Sequence, residues 1–69
     1  MTELSRAAVE RILKKSGAGR ISADATTTLS DLMEEYGLFL SREAKKMSDH
    51  AGRKTVRGED IRMAAEMFK

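Results

Sequence analysis

Residues 22–50 read SADATTTLSDLMEEYGLFLSREAKKMSDH, a run without proline in which Gly37 is the single glycine. Ala25, Leu29, Leu32, Met33, Tyr36, Leu40, Ala44 and Met47 recur at three- and four-residue spacing. That spacing puts them on one broad apolar stripe of a helix. Ser22 is a good N-cap, and Asp24 favours the positive end of the helix dipole. The next breaker is Gly52. A helix from 22 to 50 is roughly 40 Å long at 1.5 Å per residue, which is long for a chain of 69 residues.

The flanks are shorter. Leu4, Ala8, Ile12 and Leu13, with Val9 beside them, predict a first helix of about three turns. Thr2 or Ser5 can cap it, and Gly17 supplies a left-handed stop. Residues 17–21 then form a loop. Arg53 to Val56 form a second loop, Thr55 can cap a third helix, and Glu59 and Asp60 fall in its first turn. Ile61, Ala64, Ala65 and Phe68 give that helix its apolar face. The fold class is all-α: short helix, loop, long helix, loop, short helix, in one domain over 1–69.

A chain this short buries only about 60% of the surface its unfolded form exposes. Small folds need a disulfide, a metal or a partner chain to make up the difference. Cysteine is absent and there is one histidine, so no disulfide, zinc site or other metal or cofactor is expected. Oligomerisation remains. The flanking helices can cover part of the long stripe, and a second copy of the long helix completes it. Gly37 lies almost at the midpoint of 22–50. A small residue there lets two long helices cross closely on a two-fold axis; the alternative is a tolerated helix glycine costing about 1 kcal/mol.

Net charge is +2, with 13 bases against 11 acids. Residues 11–20 carry Arg11, Lys14, Lys15 and Arg20 and no acid. Residues 53–57 carry Arg53, Lys54 and Arg57 and no acid. All the acids lie elsewhere, so two short segments at predicted loops are strongly basic on an otherwise acidic chain. Arg42, Lys45 and Lys46 lie among Glu43, Asp49 and other acids and read as a solvated face with i, i+4 pairs. No segment is long and apolar enough to span a membrane, and no signal peptide precedes Glu3 and Arg6. The protein is therefore expected to be soluble and intracellular.

The stretch His50-Ala51-Gly52-Arg53-Lys54-Thr55-Val56, followed by Glu59-Asp60-Ile61, closely resembles the archaeal histones. Arg11-Ile12, Gly17 with Arg20-Ile21-Ser22, and Glu34-Glu35 before Gly37 extend the resemblance over almost the whole chain, including its lack of tails. The resemblance implies the histone fold and a handshake dimer with crossed central helices. It also implies that the first loop of one chain lies beside the second loop of the other, joining the two basic segments into one surface for double-stranded DNA. Histone octamers wrap DNA without base contacts, through arginines in the minor groove and helix ends at phosphates.

By that analogy Arg20 enters a minor groove, and Arg11 lies at the dimer centre. Lys54 and Thr55 contact phosphate beside the partner chain's first loop, and Lys14, Lys15 and Arg57 are peripheral phosphate contacts. Arg53 pairs with Asp60 as a structural ion pair; the alternative is one more DNA contact. Met47, His50, Asp60 and Met63 fall at a two-fold interface between dimers, which allows tetramers or open-ended polymers on DNA; the alternative is two methionines covering the local core and a histidine ending a helix.

Departures from the family pattern are the missing prolines near Leu4-Ser5-Arg6-Ala7, Gly58 in the first turn of the third helix, and apolar Leu38 and Phe39 on a face expected to be charged. Leu38 and Phe39 are either scattered exposed residues or a contact between stacked turns of wrapped protein. There is no nucleophile with an adjacent base and no phosphate-cradling glycine loop, so no catalytic residue is assigned and no enzyme is expected. The leading expectation is a chromatin protein that wraps duplex DNA with little sequence specificity, as a homodimer, a heterodimer with a paralogue, or a higher oligomer. The competing one is a histone-fold interaction subunit of a larger complex, with DNA contact secondary.

Overall fold

The structure is a computed structural model, and it describes residues 3–67. These form three helices in order: α1 (Arg6–Lys15), α2 (Ala23–His50) and α3 (Gly58–Glu66). Among the described residues there is no strand, and no helix is long and apolar enough to cross a membrane.

Each helix end has a local chemical cause. Ser5, in extended conformation, caps α1, its side chain accepting from the Ala8 N–H. Thr2, the other candidate cap, lies outside the described residues, as does Phe68. Gly17 sits at φ 95° just past the end of α1, and its N–H donates to the Lys14 carbonyl at 3.0 Å. The Ser22 hydroxyl oxygen accepts from the Ala25 N–H at 3.0 Å and opens α2. Gly52, at φ 73°, closes it. The Gly52 N–H donates to the Asp49 carbonyl at 3.0 Å and the Arg53 N–H to the Ser48 carbonyl at 2.9 Å, the paired bonds of a left-handed helix stop.

The cap expected from Thr55 is corrected. The N-cap of α3 is Arg57, whose backbone N–H donates to Asp60 Oδ2 at 2.8 Å. A carboxylate in the first turn of the helix thus satisfies the capping residue's amide, and no side-chain oxygen is needed at the cap itself. Gly58 is the first residue of α3, so its low helix propensity falls at the helix end.

The chain divides into two compact units, Met1–Glu35 and Tyr36–Lys69. In the first, Val9, Thr26 and Ser30 are buried, and the Glu3 N–H donates to Glu34 Oε1 at 2.9 Å. In the second, Ala44, Ser48, Asp60 and Ala64 are buried. Among the described residues the buried apolar set is therefore Val9, Ala44 and Ala64 alone. Leu32 and Tyr36, central in the expected stripe, are 57% and 44% exposed, and Ile12 is exposed too. One chain leaves the middle of its own apolar stripe uncovered. Of the pair expected outside, Leu38 is exposed, whereas Phe39 is half-buried.

Candidate nucleic-acid interface

In the first unit the basic residues follow from helix periodicity. Arg11, Lys14 and Lys15 lie on α1 and Arg20 on the loop after it, and all four are exposed. The two lysines fill the last turn of α1, where cations meet the negative end of the dipole. Lys14 also lines a groove with Arg6, Glu10, Gly19 and the start of α2 at Ser22 and Ala23. Arg6 was not singled out from the sequence. Its signal was available: it lies eight residues before Lys14, two helical turns, with Glu10 between them. Arg6 and Glu10 pair at 3.4 Å, an exposed contact worth little on its own.

The second unit builds its loop from the inside. Arg53 Nη2 donates to Asp60 Oδ1 at 2.9 Å and Nη1 to Oδ2 at 3.1 Å. This is the planar, two-pronged match that a guanidinium makes with a carboxylate. Nη1 also donates to the Thr55 carbonyl at 2.9 Å. The Ser48 hydroxyl, buried on α2, donates to the carbonyls of Arg53 at 2.9 Å and Thr55 at 3.2 Å. Ser48 was missed from sequence because a lone serine in a helix carries no signal of its own. Its backbone and side chain together tie the end of α2 to the loop.

Asp60 is 2% exposed. Its carboxyl is held down to about 2, first by the Arg53 hydrogen bonds and then by the Arg57 backbone N–H. Arg53 is raised above its ordinary value by the same partner. Both charges are therefore fixed over any ordinary pH. Turning Arg53 inward leaves Lys54, Thr55 and Arg57 exposed on the loop, with Arg57 at 3.7 Å from Glu59.

Gly37 is exposed, and a Cβ built on it meets nothing within 4 Å. Met47 is half-buried, His50 and Met63 are exposed, and Asp60 is buried. Met47 and His50 share a groove with Glu43, Lys46, Asp49 and Met67; Met67 was not singled out from sequence. On the polar side of α2, Lys45 pairs with Asp49 at 2.7 Å and Lys46 with Glu43 at 3.0 Å.

Residues 2–65 match the family described as histone-like transcription factor (CBF/NF-Y) and archaeal histone. The chain is 42% identical over 66 residues to a subunit of archaeal histone HAN1 from Thermococcus zilligii, covering 96% of this chain and 98% of that one. It is 42% identical over 64 residues to probable archaeal histone 3 of Methanocaldococcus jannaschii, covering 93% and 96%. It is also 37% identical over 58 residues to a subunit of nuclear transcription factor Y from Oryza sativa subsp. japonica, covering 81% of this chain and 33% of that one.

Proposed function

The chain belongs to the family of histone-like transcription factors and archaeal histones, its three helices are those of the histone fold, and from that premise we propose that it packages duplex DNA on the chromosome as a handshake dimer. The two units act as one histone-fold domain. The α2 helices of two chains cross near Gly37 and cover each other's stripe at Leu32 and Tyr36. The first loop of each chain lies beside the second loop of the other, so that Arg20 joins Lys54 and Thr55 of the partner at one phosphate-binding surface. Arg11 of both chains meets the DNA at the dimer centre, and Lys14, Lys15 and Arg57 extend the contact. Binding is to phosphate and groove shape, with little dependence on base sequence.

The observation that carries this reading is the inward lock of Arg53. It makes a rigid loop from a segment with no acid and leaves the neighbouring cations facing solvent. A second M. jannaschii relative, 34% identical over 59 residues, is named as a DNA-binding protein, and that name supports the same reading.

Dimers then join through Met47, His50, Asp60 and Met63. The Asp60 side chain is only 3% exposed, so Met47, His50 and Met63 carry most of that contact. Among the described residues Asp60 Oδ1 accepts one hydrogen bond, from Arg53, and that leaves a lone pair for His50 of the neighbouring dimer. Two of the relatives are named as subunits, which supports a paralogue as the alternative partner within the dimer. Scaling octamer wrapping to one dimer gives roughly 30–40 base pairs per added step. Limited nuclease digestion of saturated complexes tests the reading: a ladder with that increment is expected. A single protected length that does not grow with added protein contradicts end-to-end assembly.

A further inference from the structure

The chain has no cysteine and five methionines, so thioethers are its only oxidisable sulfur. Their placement is uneven. Neither basic loop, 16–22 or 51–57, contains a methionine. Met33 and Met47 are half-buried. Met63 and Met67 are 57% and 56% exposed. These two are four residues apart, one on α3 and the other its C-cap, and so share one side of that helix. Met67 meets Met47 and His50 in one groove of the second unit. Among the described residues of the single chain, the most accessible sulfurs thus border the surface proposed above to join dimers, and the loops proposed to contact DNA have none.

We infer that Met63 and Met67 form a reversible oxidation site that uncouples dimers from one another while each stays on DNA. This rests on the assembly reading above. The oxidant is a hydroperoxide. A sulfur lone pair attacks one peroxide oxygen, the O–O bond breaks, and the other oxygen leaves and takes a proton as water or alcohol. Sulfur loses two electrons and the peroxide gains two. The product sulfoxide is polar and chiral where the thioether was apolar and flexible. Burying its oxygen between dimers without a hydrogen-bond donor opposes association. A methionine sulfoxide reductase supplied with a dithiol restores the thioether, forming a disulfide and water. Once dimers stack, the same sulfurs are covered, so free dimers are oxidised faster than assembled ones.

The test treats the protein with hydrogen peroxide and reads sulfoxide by peptide mass spectrometry, fold by circular dichroism, and assembly by the nuclease ladder. Sulfoxide is expected first at Met63 and Met67, with Met33 lagging. The oxidised protein should stay helical, bind DNA, and protect one dimer's length without further rungs, and the reductase should restore the ladder. Met63→Leu/Met67→Leu, a near volume-conserving change, is compared with itself: whatever ladder it gives before peroxide should be unchanged after the same treatment. A ladder that survives verified sulfoxides at both positions overturns this inference alone. So does loss of the ladder in the oxidised double variant, or loss of helicity or DNA binding in the oxidised parent. A ladder absent before any oxidation overturns the assembly reading and this inference with it.

Discussion

Arg53 and Asp60 hold each other by two near-parallel hydrogen bonds of 2.9 and 3.1 Å across the loop that joins α2 to α3. Asp60 serves the turn twice, since it also accepts the N–H of the α3 N-cap. Removing either partner leaves the other's charge poorly compensated in a partly buried site. Arg53→Ala and Asp60→Asn should each lower the melting temperature by on the order of 5–10 °C, measured by circular dichroism at fixed protein concentration. A change of a degree or less in both would show that the loop is fixed by Ser48 and Gly52 alone. If Arg53 is structural, Arg53→Ala should leave the salt dependence of DNA binding unchanged.

The same pair sets an acid limit. Asp60 is lowered from 3.8 to about 2 in the folded chain. A carboxyl with a depressed folded pKa binds protons more readily when unfolded, so its stabilisation is complete above the unfolded value and is lost as pH falls through the folded one. Stability of the parent should fall between about pH 4 and pH 2 more steeply than that of Asp60→Asn. Parallel curves in denaturant titrations across that window would remove Asp60 from the acid response.

Gly37 gives a test in which sign alone decides. Within the chain, a Cβ at this position meets nothing within 4 Å, so Gly37→Ala should stabilise an isolated helix by about 0.8–1 kcal/mol. At a close crossing of two α2 helices the added methyl should instead push the chains apart. We expect Gly37→Ala to lower the melting temperature and the parent's melting temperature to rise with protein concentration. A stabilised variant with a concentration-independent transition would fit a folded monomer.

Much of this was legible in sequence because the signals are local. Gly17 and Gly52 stop their helices through backbone conformations that glycine favours, and Ser5 and Ser22 cap through side-chain oxygens. The α3 cap was misplaced because Thr55 has the preferred side chain, whereas the backbone N–H that needs a partner belongs to Arg57 and finds it in Asp60. The carbonyl of Thr55 is taken instead by Ser48 and Arg53. Ser48 carries no pattern in sequence, since what distinguishes it is the neighbours it meets after folding; Met67 lies four residues after Met63, but that spacing does not show the groove it shares with Met47 and His50. Leu32 and Tyr36 read as core from their spacing, and yet they are exposed in the single chain. Periodicity identifies an apolar stripe without saying which chain covers it.

The central claim is that both basic loops bind DNA phosphates together. The slope of log affinity against log salt, measured on random-sequence duplex DNA for the parent, Arg20→Ala and Lys54→Ala, tests it most directly. Each phosphate neutralised contributes a slope of about −0.9. A steep parent slope is predicted, reduced by about two phosphate contacts in either variant because a dimer carries each residue twice, with the fold intact. A shallow parent slope, or slopes unchanged in both variants, would contradict the account.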